Sequence, residues 1–89
     1  MTARRFAPAR PLAVTSDPTT GVPAWVRWRG RDERVARIEA TWTVDRGWWE
    51  AEGSVARRRY VRLLTHGGLL CVVYQERGHG GWYLEKIVD

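Results

Sequence analysis

Residues 35–44 read Val-Ala-Arg-Ile-Glu-Ala-Thr-Trp-Thr-Val, and their alternation limits what this chain can fold into more than any other feature. Ala36, Ile38, Ala40, Trp42 and Val44 share one parity, whereas Arg37, Glu39, Thr41 and Thr43 share the other. Successive side chains on an extended strand point to opposite faces, so this is the period of a half-buried β-strand with the first set inward and the second solvated.

The same period returns in shorter runs separated by turn residues. Residues 24–29 set Ala24, Val26 and Trp28 against Trp25, Arg27 and Arg29. Residues 12–16, 59–65, 69–74 and 82–88 are also rich in strand formers, and the 69–74 run is apolar at both parities, which predicts a central strand. Asp17-Pro18-Thr19-Thr20-Gly21, Gly30-Arg31-Asp32, Asp45-Arg46-Gly47, His66-Gly67-Gly68 and Arg77-Gly78-His79-Gly80-Gly81 separate them. Proline presets φ in such turns and glycine accepts a positive one. Residues 50–56 contain helix formers but are cut by Gly53-Ser54, too short a span to nucleate a helix unaided, so a loop or single turn is expected there. The prediction is an all-β fold: a small, strongly bent antiparallel sheet or partly open barrel of five to six strands, connected as a meander because short turns make sequence neighbours pair. Residues 1–10 carry Arg4, Arg5, Arg10 and Pro8 without an apolar period and read as a flexible basic arm before a single β domain over 11–89.

Size and charge narrow the function classes. A chain of 89 residues buries only about 60% of its unfolded surface, which leaves a thin core and little room for an enclosed active site. A single cysteine, Cys71, excludes an internal disulfide, and no long apolar run suggests a membrane span, so a cytoplasmic protein without membrane contact is expected. Cys71 lies in the apolar 69–74 run and reads as a small buried hydrophobe with an inert thiol. His66 and His79 sit in glycine-rich turns without a second ligand at metal spacing. Gly78-His79-Gly80-Gly81 lacks the lysine and following helix of a phosphate loop. No catalysis and no cofactor are expected. The formal charge of +5 favours an anionic partner, and all the bases except Lys86 are arginine. Arginine forks carboxylates and phosphates and stacks on rings, although a GC-rich coding bias produces the same skew.

Candidate binding residues lie where aromatics and arginines meet. Trp28, Trp42 and Trp82 read as core. Trp25 shares its parity with Arg27 and Arg29, an arrangement that fits a structural cation-π stack ahead of a base-stacking platform. Trp48 and Trp49 are adjacent and should face opposite ways; the parity of Trp42 and Val44 puts Trp48 inward and Trp49 outward, unless a bulge at Gly47 swaps them. Arg57, Arg58 and Arg59 form a cationic run that is either a solvated segment or a phosphate contact.

Some of these residues also carry a family resemblance. Gly47-Trp48-Trp49, then Arg58-Arg59-Tyr60, an apolar strand with a glycine turn, and Gly81-Trp82-Tyr83-Leu84 resemble a pattern near the C-terminus of the catalytically degenerate Y-family DNA polymerase-like subunits of bacterial mutasomes. Arg10-Pro11, Trp28-Arg29-Gly30 and the 42–49 stretch resemble small stand-alone bacterial proteins that share that module. Glu50-Ala51 departs from the pattern, where an Asp-Gly turn is usual. The resemblance implies a link to DNA repair or error-prone DNA synthesis and transfers no catalytic residue. Two readings follow: an accessory module docking on a repair or polymerase protein through an exposed edge or aromatic patch, or a single-stranded DNA binder using Arg27, Arg29 and Arg57–59 with Trp25 or Trp49. A monomer or weak edge-strand dimer is expected. Arginines gathered beside an exposed ring favour DNA; arginines scattered and paired with acids favour docking.

Overall fold

The computed structural model describes the backbone of residues 3–46, 56–76 and 81–88, with side chains at 10–44, 57–76 and 81–88. Trp48, Trp49 and the turn at 77–80 lie outside the described residues. Seven strands follow one another: β1 (Ala3–Leu12), β2 (Val14–Ser16), β3 (Pro23–Trp28), β4 (Arg31–Arg46), β5 (Ala56–Thr65), β6 (Leu70–Glu76) and β7 (Trp82–Val88). All pairings are antiparallel, in the order β1-β7-β6-β5-β4-β3-β2, so the chain is a meander in a nearly closed, barrel-like sheet, with no helix among the described residues.

The N-terminal segment closes the barrel, and here the structure departs from the arm expected over residues 1–10. β1 pairs with β7, from Ala3↔Val88 to Leu12↔Trp82, while β2, one residue later, pairs with β3 at the opposite edge. Arg27 N donates to Ala13 O at 2.9 Å, which pins the crossing point. Pro8 and Pro11 concealed this strand, because proline cannot donate to a ladder; an edge strand has one unpaired side, and the register shift between Arg5 and Arg10 gives further room. This segment raises the strand count above the expected five to six.

Every strand contributes to the interior. Val26, Val61, Leu63, Cys71, Val73, Trp82 and Leu84 are buried, and Leu12, Val14, Trp28, Val35, Ile38, Leu69 and Ile87 pack against them. Each fully buried aliphatic side chain contributes on the order of 1.5–3 kcal/mol. The central role expected for 69–74 is observed, since β6 runs between β5 and β7 and Cys71, Val72, Val73 and Tyr74 are all buried.

Turn chemistry accounts for the connections. Asp17 Oδ1 accepts from Thr19 N at 2.7 Å and Thr20 N at 3.2 Å, an Asx turn leading to Gly21 at φ 76°. Trp28 pairs with Arg31 across Arg29 and Gly30, at φ 52° and 76°, which is a two-residue turn of the primed type whose twist matches that of the strands. The β5–β6 turn rests on Glu33: Thr65 Oγ1, buried, donates to Glu33 Oε1 at 2.6 Å and accepts from Leu69 N at 3.0 Å.

β4 corrects the parity argument. Register shifts between Val35 and Arg37 and between Ile38 and Ala40 each insert one residue, and each reverses the face of everything after it. Val35 and Ile38 therefore pack inward, whereas Trp42, two residues beyond the second shift, pairs with Tyr60 on the outer face and is 40% exposed. Trp42 is not a barrel-core residue. Trp28 and Trp82 are placed against the core as expected.

Candidate interaction surfaces

The outer face carries an aromatic row. Trp42, Tyr60, Tyr74 and Tyr83 are consecutive cross-strand partners on β4, β5, β6 and β7. Neighbouring centroids are 5.4 Å apart, and the Trp42 and Tyr60 planes differ by only 2°. Tyr60, Val72 and Tyr74 are buried in this second cluster, with Val44 and Tyr83 packed on it. Sequence reasoning passed over the tyrosines, yet a signal was present: Tyr60 and Tyr74 are equidistant from Gly67, so the 66–68 hairpin pairs them. Such aromatic pairs contribute about 0.5–1.5 kcal/mol beyond their area.

The row ends at an open edge. β3 pairs only with residues 31–34 of β4, and among the described residues no strand adds to that side beyond Arg34. Its first part is guarded by the two bulges and by Glu39, whose carboxylate accepts from Arg37 Nη2 at 2.8 Å and Arg62 Nε at 3.2 Å. The Arg37 hydrogen bond, supported by Arg62, outweighs desolvation and holds the Glu39 pKa below its ordinary value. Residues 40–46 follow in unbroken register with β5, a regular edge free of bulges and prolines. Because the Trp42 ring stacks on Tyr60 across the strands, its second face is turned toward the place of the missing neighbour.

The structure disperses the arginines singled out from sequence. Arg57 is exposed and Arg59 half-buried, on the opposite parity to Arg58; both line a hollow with Thr43 and Gln75, and Arg59 approaches the turn at Gly21. Arg58 lies over Tyr74, 4.5 Å from the ring centroid, with Nε and Nη2 at 3.2 and 3.1 Å from Glu76 Oε1. Burial opposes its charge, but the Tyr60 hydrogen bond and nearby Tyr74 and Glu76 raise its pKa on balance. Arg58 is thus built into the aromatic cluster.

On β3, Arg27 Nη1 donates to Asp32 Oδ1 at 3.1 Å, and Arg29 lies 5.4 Å from the Trp28 centroid. The stack expected on Trp25 is instead on Trp28. Trp25 is 43% exposed beside Arg27 along a hollow at the β2–β3 border. Trp49 lies outside the described residues. Cys71 is fully buried, which pushes its thiol pKa up to about 12, and His66 is exposed in its turn.

Near the crossing at Ala13 lies a cleft of about 510 Å³. Arg10, Arg27 and Arg29 line it together with Leu12, Trp28, Leu84 and Ile87. Among the described residues, no helix is long and apolar enough to cross a membrane, and no group of three or more His, Cys, Asp or Glu could hold a metal ion. No model of a known protein family matches the chain, and no curated protein or solved structure matches it either.

Proposed function

We propose that this chain is a non-catalytic docking module, engaged by a partner protein that adds an extended segment to the open edge of β4 beside Trp42. The carrying observation is that edge: residues 40–46 keep unbroken register with β5 while, among the described residues, their other side has no strand. Strand addition derives affinity from main-chain hydrogen bonds and specificity from alternate side chains. Here the side chain in the aromatic row would meet the open face of Trp42. Dispersion of the nominated arginines, with Arg27 on Asp32 and Arg58 on Glu76, supports docking over a phosphate-binding stripe. Resemblance to mutasome-subunit modules supplies the partner class, a protein of bacterial DNA repair or error-prone synthesis.

A photo-crosslinking residue in place of the exposed Thr41 tests this in cells. Crosslinks to a repair or polymerase protein are expected, lost when that protein is deleted; crosslinks to nucleic acid, or to none of these proteins, would overturn the reading. The alternative, single-stranded DNA binding, is favoured by one observation, the exposed Trp25 ring beside Arg27. It requires affinity for a labelled oligonucleotide that falls with salt at a log-log slope of about −2 to −3.5, the counterion release of three to five phosphate contacts.

A further inference from the structure

Besides the open edge of β4, the barrel wall parts at the crossing near Ala13. N-terminal of Ala13 the chain leaves β3 for β7, so the end of β1 and the end of β3 diverge, and the cleft opens between them. Its depth is apolar, from Leu84 and Ile87 of β7 flanked by Leu12 and Trp28. Its rim carries Arg10, Arg27 and Arg29, and among the described residues no carboxylate lines it. Arg27 shares its charge with Asp32, which lines the hollow at the β2–β3 border. The hydrogen bond from Arg27 N to Ala13 O at 2.9 Å fixes the crossing beside which the cleft begins.

Arg29 is the telling residue. It occupies the first central position of a primed turn at φ 52°, where Asn, Asp or Gly is favoured and a long side chain is strained. Strain of this kind concentrates at functional sites. What this conformation places beside the cleft is a guanidinium over the Trp28 ring.

We propose that the seam cleft receives the C-terminal residue of a protein chain, with its apolar side chain between Trp28 and Leu84 and its terminal carboxylate at Arg29, in the field of Arg10 and Arg27. Charge complementarity selects an anion and the apolar lining selects a hydrophobic side chain, and a C-terminal residue carries both on one α-carbon. A cleft of this volume lies in the range of sites for small ligands and short peptide ends.

The experiment is an NMR titration of the full chain, following the Trp28 indole N–H, with acetyl-Gly-Gly-Leu as the free acid, the same peptide as its amide, and acetyl-Gly-Gly-Ser as the free acid. Saturable shifts centred on Trp28 are expected for the leucine acid, with affinity at least about tenfold weaker for the amide and for the serine peptide, a difference of ~1.4 kcal/mol. Arg29→Asn supplies the second arm. It relieves the turn, so the variant should melt higher than the parent while losing leucine-acid affinity by a similar factor. Equal binding of acid and amide, parental binding by Arg29→Asn, or no shift at ~1 mM leucine acid, where a useful affinity would saturate, would each overturn the proposal. None of these results bears on crosslinking at Thr41, which reads the β4 edge.

Discussion

The two faces of this sheet bury aromatic rings for different reasons. Inside, Trp82 is 5% exposed and enclosed by residues from every strand, in a cluster that includes Val61, Leu63, Val73 and Leu84. Outside, Trp42 is 40% exposed and, among the described residues, stacks on the Tyr60 ring. Both are tryptophans on strands of one small domain, and both carry the alternation expected of a core position. What differs is closure: curling the sheet surrounds the inner face, whereas the outer face is covered only by its own long side chains and stops at the last strand. The ring at the end of that row therefore keeps much of its surface in solvent.

The sharpest way to break this comparison is to truncate both rings. Trp82→Ala should lose ~3–5 kcal/mol and come close to unfolding a domain of this size, whereas Trp42→Ala should lose about 1 kcal/mol, mostly the stack on Tyr60. Urea denaturation measures both, and similar losses would show that the outer row is a second core. A smaller effect tests the turn beneath the inner face. A Cβ on Gly67 would sit 2.6 Å from Glu33 Oε1, the acceptor of the buried Thr65 hydroxyl. Gly67→Ala should therefore destabilise by about 1–3 kcal/mol, the range for disturbing a buried polar group, and Glu33→Ala in the same background should recover the steric part.

The alkaline limb probes the inner face without changing its shape much. Cys71 keeps its proton up to about 12 when folded, while an exposed thiol loses it near its ordinary value of 9.0. Between these values the unfolded chain binds fewer protons, so the thiol makes stability fall as pH rises. Cys71→Ala should flatten that part of the stability profile relative to the parent, and Cys71 should resist thiol reagents until the protein unfolds. The smallest effect belongs to the outer face. Glu39 ionises below its ordinary pKa, chiefly through Arg37, so its contribution is present above that ordinary value and is lost as pH falls through the lowered one. Glu39→Gln should remove a slight acid-limb slope, and raised salt should erase the difference, because these charges lie at the surface.

Period and turn chemistry make the all-β class, the meander and most strand limits legible in the sequence. They also located Val26 and Trp28 on the inner side of β3, because no bulge intervenes between the turn and those residues. The candidate site was less legible. Trp42 was read inward because a parity count assumes an uninterrupted strand, and the bulge between Ile38 and Ala40 puts Trp42 on the face opposite to Ile38. Arg57, Arg58 and Arg59 look like one cationic patch in a line of text, but a strand sends neighbours to opposite faces, and Glu76, the partner of Arg58, arrives from another strand.

The division follows the range of the forces. Local backbone preferences and the two-residue period act over a few positions, so the sequence alone determined where this chain would extend, where it would turn, and that it would build a small curved antiparallel sheet. Closure by residues 3–16, the edge at 40–46 that no strand among the described residues covers, and the cleft between β1 and β3 depend on which distant strands meet and in what register. Those were decided only in the tertiary structure, because a bulge or a crossing costs little locally and is selected by the packing of the whole barrel.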